Sequence, residues 1–138
     1  MKVFLDANII VSVLNKEYPL FTFSSRIVSL VDNPKFQIYT SPICLAIAFY
    51  FAEKKSGQNH AKNKIGLLAS KMGIAGIDDT VVMKTAQEKS VEDFEDGLEY
   101  FSALKAGCKY IITEDKNDFY FSKLPIMGAK EFLEAYVL

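Results

Sequence analysis

Short apolar runs alternate with longer segments of helical periodicity along the chain. The strand-like runs fall at residues 2–5, 36–39, 74–77, 108–113 and 126–127. Helical patterns fall at residues 8–14, 20–31, 43–52, 58–71, 79–89, 90–107 and 129–136. This alternation predicts an α/β fold of three layers, α/β/α, with a central, mainly parallel sheet. We expect residues 1–138 to form a single domain, because 138 residues, half of them hydrophobic, suffice for one core.

Turn-forming and capping residues mark several boundaries of these segments. Thr40 or Ser41 is suited to cap the third helix, with Pro42 in its first turn. Glycines are expected to end two helices, Gly73 after the lysine-rich one and Gly107 after the acidic one. Four apolar residues fall at helical spacing along the acidic helix: Phe94, Leu98, Phe101 and Leu104. No internal repeat or low-complexity linker interrupts the pattern.

Positive and negative charges are segregated along the chain. Residues 54–71 hold five lysines and no acid, whereas residues 78–99 hold eight acids and two lysines. The formal net charge of −1 provides no overall attraction to nucleic acid or to an anionic membrane. A polyanionic partner would therefore have to be held by a local patch or by a metal.

The apolar segments predict a cytoplasmic protein without a membrane anchor. The N-terminus lacks the pattern of a secretory signal, and the longest apolar run, residues 43–52, is about half of the ~20 residues that cross a bilayer. Cys44 and Cys108 lie in apolar segments without metal-ligand spacing. We expect both to be small buried hydrophobes, without a disulfide or a zinc site.

Acidic residues follow two of the predicted interior strands. Asp6 comes directly after the first strand, and Asp115 comes shortly after the fourth. Asp93 and Asp96 open the helix that leads to the fourth strand, and Asp118 follows Asp115 by about one turn. Ligands of open parallel sheets bind beyond the carboxyl ends of the strands, so these acids are expected to meet in one crevice.

Converging carboxylates repel one another, and a divalent cation removes that repulsion. Mg²⁺ and Mn²⁺ prefer oxygen ligands and fill their remaining positions with water or phosphate oxygens, which suits hydrolysis of a phosphodiester bond. His60 is the only histidine and lies in a hydrophilic segment, so a Ser-His-Asp triad is disfavoured. Capping of helices is the alternative role for each acid, and it is weakest for Asp6 and Asp115.

Two segments of the chain resemble the PIN-domain nucleases. They are LDANII, at the end of the first strand, and DFEDGLEYFSALKAGCKYIITEDKNDF, which spans the acidic helix and the fourth strand. The resemblance implies an endoribonuclease that uses Mg²⁺ or Mn²⁺. Small members similar to this chain include the VapC-like toxin ribonucleases of type II toxin–antitoxin pairs. The implied partners are therefore an RNA substrate and a cognate antitoxin protein, with a homodimer as a further possibility.

The same resemblance implies roles for individual residues. It places the metal-binding acids at Asp6, Asp93, Asp96, Asp115 and Asp118. Catalytic roles are implied for Asp6, Asp96 and Asp115. Asn8 and Thr113 match polar positions beside the metal, where hydrogen bonds orient the ligands.

One position departs from the family pattern. The helix after the second strand usually supplies a glutamate, and Ile47 stands where it would align. Glu53 lies almost two turns further along and is not expected to replace it. The alternative function is thus a catalytically weakened or inactive PIN-like domain that binds RNA or a protein partner. A phospho-acceptor receiver domain is disfavoured, because LDANII lacks the paired acids that such a site needs after its first strand.

The lysine-rich segment is a candidate for contacts with the RNA backbone. Phosphate contacts supply most of the affinity that does not depend on sequence. The candidate residues are Lys54, Lys55, Lys62 and Lys64. A solvated helix face is the alternative interpretation of the same segment.

Overall fold

A five-stranded parallel sheet forms the centre of the computed structural model, which describes residues 1–137. The strands are β1 (Lys2–Leu5), β2 (Gln37–Thr40), β3 (Gly73–Ile74), β4 (Tyr110–Ile112) and β5 (Ile126–Met127). Their order is β3-β2-β1-β4-β5, and every neighbouring pair is parallel. β1 is central, and its Val3, Phe4 and Leu5 are fully buried.

In residues 1–137, seven α-helices flank the sheet, so the predicted three-layer α/β/α fold is confirmed. They are α1 (Ala7–Leu14), α2 (Phe21–Val28), α3 (Pro42–Ser56), α4 (Gln58–Lys71), α5 (Asp79–Gln87), α6 (Phe94–Lys105) and α7 (Ala129–Tyr136). Two 3₁₀ turns occupy Ser29–Asp32 and Lys116–Phe119. α1 packs against α2 and α3, α3 against α4, and α2 against α7, while α5 packs against α6. The predicted helix over residues 20–31 is thus an α-helix that tightens into a 3₁₀ turn.

Side-chain caps fix where the helices near the sheet begin. The Ser41 hydroxyl accepts a hydrogen bond from the backbone N–H of Cys44 at 3.2 Å, and Pro42 occupies the first position of α3, as expected. The Asp93 carboxylate accepts one from the backbone N–H of Asp96 at 3.0 Å and so begins α6. Gly107, at φ +85°, follows the end of α6, where a residue with a side chain would be strained.

The boundaries of β3 and β4 differ from the prediction. The predicted strand over 108–113 is shorter, so Cys108 precedes β4 and Thr113 follows it. Gly73 begins β3 rather than closing α4. The reason is spatial, because a Cβ atom at Gly73 would lie 2.5 Å from the aromatic ring of Tyr39 in β2. The glycine lets the two backbones approach beneath that ring.

The apolar stripe of α6 is not its most buried face. Phe94 and Leu104 are 49% and 40% exposed, whereas Glu99, Tyr100 and Ala103 are buried. α5 packs over this helix at Gly97, where a Cβ atom would lie 2.6 Å from the side chain of Thr85. The spacing of the apolar residues thus predicted the helix but not the face that it buries.

Cys44 and Cys108 are buried and free, as expected from the sequence. In the part of the chain that the structure describes, no helix combines the length and apolar character needed to cross a bilayer.

The close approach at Gly73 predicts a position-specific loss of stability. Gly73→Ala should lower the free energy of unfolding by about 1–3 kcal/mol, because the added methyl group displaces the Tyr39 ring. The matched control is Gly66→Ala within α4, where a Cβ meets nothing within 4 Å. That variant should gain about 0.5–1 kcal/mol from helix propensity. Equal effects of both variants in urea unfolding would contradict the assigned register of β2 and β3.

Candidate metal centre

The candidate site lies beyond the carboxyl ends of β1 and β4. Asp6 follows β1, and its backbone N–H donates to the carbonyl of Ile112 in β4 at 3.0 Å. Thr113 follows β4, two residues before Asp115. The strand order reverses here, because β2 lies on one side of β1 and β4 on the other. Such a reversal is where open α/β sheets bind ligands.

Backbone and side-chain donors hold the Asp6 carboxylate in place. One oxygen accepts a hydrogen bond from the backbone N–H of Ala7 at 2.7 Å. The other accepts from the Thr113 hydroxyl at 2.8 Å and from the Asn8 amide nitrogen at 3.3 Å. Asp6 also caps α1, so capping and a possible ligand role occur in the same residue. A carboxylate fixed in this way is already oriented before any ligand arrives.

Asn8 connects the two acids that follow the central strands. Its amide nitrogen also donates to the Asp115 carboxylate at 3.1 Å and to the Thr113 hydroxyl at 2.9 Å. The Asn8 carbonyl oxygen accepts from the backbone N–H of Glu114 at 3.2 Å. Asp6 and Asp115 therefore meet, as the sequence predicted. The hydrogen bonds of Asn8 and Thr113 are those that a role in orienting acids requires.

A cavity of about 410 Å³ opens beside this network. Its acidic lining residues are Asp6, Glu17, Glu95, Asp96, Glu99, Asp115 and Asp118. Its apolar lining residues include Val11, Leu20, Ile47 and Phe51. Among residues 1–137, no lysine, arginine or histidine lines the cavity. Acidic and apolar side chains thus line one cavity, without a counter-charge from the lysine, arginine or histidine side chains of residues 1–137.

Asp96 lies in the cavity, whereas Asp93 lies outside its lining. Burial, followed by the charges of Asp93 and Asp118, raises the pKa of Asp96 from 3.8 to about 7. The pKa of Asp118, which also lines the cavity, is raised by burial and by the charge of Asp115. Asp93 is exposed and caps α6, so it acts on the cavity through its charge. The predicted acids Asp6, Asp96, Asp115 and Asp118 therefore line one cavity. Among residues 1–137, the group of ligand atoms within 4.8 Å of one another includes only Asp6 of these four.

Glu99 is an acid of this site that the sequence analysis did not single out. It is 2% exposed, and burial together with the charge of Asp6 raises its pKa from 4.5 to about 10. The Cys44 thiol donates to its carboxylate and lies 4.0 Å from Asp6. Burial raises the pKa of that thiol well above its usual value. Cys44 is therefore more than the plain hydrophobe that its apolar surroundings suggested.

A signal for Glu99 exists in the sequence. Residues three apart on a helix lie on the same face, so Glu99 follows Asp96 into the cavity. On α3, Ile47 lines the cavity, and Glu53 is exposed and absent from the lining. The helix after the second strand therefore contributes no carboxylate to the cavity.

Two of the four candidate RNA-binding lysines contact the end of α1. Lys55 donates to the carbonyl of Asn15, and Lys64 donates to the carbonyl of Leu14 at 3.2 Å. Cations near the C-terminus of a helix stabilise it, so these lysines have structural roles. Lys54 lies over the Tyr50 ring, 4.2 Å from its centre. Lys62 and His60 are exposed on α4.

The donor set fits a hard divalent cation. Carboxylate oxygens from β1, α6 and the segment after β4 converge on one cavity. Ligand atoms of Asp6, Cys44 and Glu99 lie within 4.8 Å of one another. Without a cation, burial and the charge of Asp6 raise the pKa of Glu99, and a bound dication would favour the ionised form of that carboxyl group.

The chain resembles known proteins both in sequence and in fold. It is 27% identical to Ribonuclease VapC1 of Aquifex aeolicus (strain VF5), over 98% of this chain and 95% of the relative. The fold is similar to VapBC-1 from nontypeable Haemophilus influenzae, with a TM-score of 0.71, 17% identity and coverage of 94% of this chain and 99% of that one.

Two further solved structures share the fold. VapBC2 from Rickettsia felis, bound to a DNA fragment from its promoter, has a TM-score of 0.68 and 19% identity, covering 92% of this chain and 97% of that one. Mycobacterium tuberculosis VapC20, a toxin that cleaves the sarcin–ricin loop, has a TM-score of 0.63 and 13% identity, and the match covers 79% of this chain and 86% of that one. The PIN domain family model matches residues 2–117. The chain therefore belongs to the PIN domain family.

Proposed function

We propose that this protein is a divalent-metal-dependent endoribonuclease and the toxin of a toxin–antitoxin pair. The observation that carries the proposal is the cavity in which Asp6, Asp96 and Asp115 meet although they lie far apart in sequence. The family membership and the similarity to a ribonuclease along nearly the whole chain support it. We assign the catalytic roles to these three aspartates.

Asp6, Asp96, Asp115 and Asp118 would hold Mg²⁺ or Mn²⁺. When bound, such an ion supplies positive charge for the phosphate and lowers the pKa of a bound water. Asn8 and Thr113 keep Asp6 and Asp115 oriented towards the cavity. Asp93 acts from outside the lining, as the cap of α6 and as a nearby negative charge.

Water is the nucleophile that this cavity favours. Among residues 1–137, its lining contains no serine, histidine or lysine. Cys44 lies nearby, but its raised pKa keeps it a thiol, which is a poor nucleophile. In hydrolysis the water oxygen would form a bond to phosphorus and give up a proton, while the P–O bond to the leaving sugar oxygen breaks and that oxygen takes up a proton.

The apolar side chains of the cavity lining offer a surface for the bases of a single strand. Phe51 lines the cavity and is 45% exposed, which leaves ring surface on which a base could stack. Stacking on aromatic rings tolerates any base. This arrangement supports a single-stranded RNA substrate whose phosphate lies at the acids and whose base lies at the apolar side chains.

A cognate antitoxin is the protein partner that we propose. The solved Rickettsia felis and Haemophilus influenzae proteins with this fold are VapBC structures. Their coverage of more than nine-tenths of this chain supports a comparable assembly. A homodimer stays a prediction from the sequence.

Removal of single carboxylates tests the enzymatic assignment. Asp6→Asn and Asp96→Asn should each lower the rate of single-stranded RNA cleavage in Mn²⁺ by about 100-fold or more, because each removes negative charge from the site. Asp79→Asn is the matched control, since Asp79 is an exposed acid at the start of α5. Equal cleavage by all four proteins in a gel assay would assign the activity to a contaminant.

The crowded carboxyl groups predict a stability that falls with pH in metal-free protein. Glu99 keeps its proton up to about pH 10 in the folded state, against about 4.5 as its ordinary value. Between these values the unfolded chain binds fewer protons, so stability is greatest at low pH and falls as pH rises. The slope is up to about 1.4 kcal/mol per pH unit for one group.

Urea unfolding in EDTA at several pH values between 5.5 and 8 measures this slope. Glu99→Gln should flatten the decline, because its amide does not titrate. Parallel pH profiles of the variant and the unmodified protein would show that Glu99 does not carry the effect.

The lysine-rich segment supplies a separate test of RNA binding. The double variant Lys54→Ala/Lys62→Ala avoids the two lysines that contact α1. Loss of two phosphate contacts should reduce the salt slope of binding by about 1.4, at about 0.7 per contact. Lys84→Ala/Lys89→Ala, in the acidic segment, is the control. An unchanged slope in the first variant, measured by fluorescence anisotropy, would remove this segment from the RNA interface.

A further inference from the structure

We infer that Glu99 is a metal-binding residue and that it supplies from α6 the carboxylate that α3 does not provide. This inference rests on the proposed metal-dependent function. It concerns a residue for which helix capping gives no explanation, since Glu99 lies in the interior of α6.

The burial of Glu99 indicates a ligand. The residue is 2% exposed and yet lines the cavity, so its carboxylate faces the cavity rather than bulk solvent. The only side chain among residues 1–137 that donates to it is the Cys44 thiol, a weak donor. No salt bridge in the described chain includes Glu99. Ionisation of a buried carboxyl group without a cationic partner is costly, and a cation in the cavity would stabilise the ionised form.

The position of Glu99 suits a shared ion. Its carboxylate and that of Asp6 each contribute an atom to a group whose members lie within 4.8 Å of one another. Asp96 lies three residues earlier on α6 and lines the same cavity. One face of α6 therefore presents two carboxylates towards Asp6. Cys44, which donates to Glu99, acts in this arrangement as a positioning residue.

The apolar residue that α3 contributes to the cavity explains why a second acid on α6 is useful. Ile47 lines the cavity from α3, and a branched alkyl group offers no metal ligand. Hard divalent cations take several oxygen ligands, so an acid absent from one helix can be supplied by another. By this inference the acidic set is complete despite Ile47, and the departure at that position does not make the site inactive.

Calorimetric titration with MnCl₂ tests the inference on the full chain. Glu99→Gln should weaken Mn²⁺ binding at least tenfold and reduce the Mn²⁺-induced rise in Tm. The matched control is Glu95→Gln, which removes a carboxylate of the same cavity and helix that is not among the proposed metal ligands. Its affinity should stay within about threefold of the unmodified protein, as expected for a charge that acts only at a distance.

Two more variants separate a ligand role from a structural one. Thermal unfolding in EDTA shows whether the Glu99→Gln protein is folded. If it is not, Glu99→Asp takes its place, because this variant keeps a carboxylate but withdraws it from the cavity by one methylene group. The same loss of Mn²⁺ affinity is expected. Ile47→Glu in the Glu99→Gln background returns a carboxylate to the cavity from α3. Recovery of Mn²⁺ affinity in that double variant would support exchange of the ligand between the two helices.

The outcomes distinguish this inference from the proposed function. Wild-type Mn²⁺ affinity in a folded Glu99→Gln protein, together with lost affinity in Asp96→Asn, would overturn the role of Glu99 and leave the proposed function standing. Absence of Mn²⁺ binding to the unmodified protein would overturn both.

Discussion

Mutual repulsion among converging carboxylates is the constraint on which this structure depends. Asp6, Asp96, Glu99 and Asp115 occupy one cavity, and no lysine, arginine or histidine in residues 1–137 lines it. The fold holds Asp6 and Asp115 there with neutral donors, chiefly the Asn8 amide, which donates to both, and the Thr113 hydroxyl, which donates to Asp6. Neutral donors orient the acids without cancelling their charge. The cavity therefore keeps a negative charge that a cation would neutralise, and metal-free protein is expected to be less stable because of it.

The reversal of strand order determines why these acids can meet. β1 and β4 are neighbours in the sheet although most of the chain separates them, and both are buried. An acid at the end of either strand is carried to the same edge. Sequence reasoning could find Asp6 and Asp115, because an ionisable residue directly after a buried apolar strand stands out against its surroundings. The fold class followed from the same alternation of strands and helices.

The position of Glu99 in the cavity could not be predicted in the same way, for a physical reason. On α6, Phe94 and Leu104 look like core residues by their spacing, yet both are largely exposed, and the face that carries Glu99 is buried. Gly97 allows α5 to pack closely against α6, and this contact fixes the rotation of the helix. Periodicity in one helix cannot report the size of a residue in its neighbour. The boundary of β3 escaped likewise, because it depends on the Tyr39 ring above Gly73.

The acidic and the apolar side chains of the cavity have different roles, and this difference explains how a chain without a general basic surface could act on RNA. A net charge of −1 and an acidic cleft give a polyanion no overall attraction, so a bound cation or a local group of lysines would have to supply it. The apolar side chains, among them Ile47 and Phe51, need no charge to receive a base. If the carboxylate that α3 lacks is supplied by Glu99, α3 is free to present apolar surface. Ile47 then does not mean that the site has lost a ligand. The carboxylate is supplied from α6 instead, and α3 presents apolar contact surface.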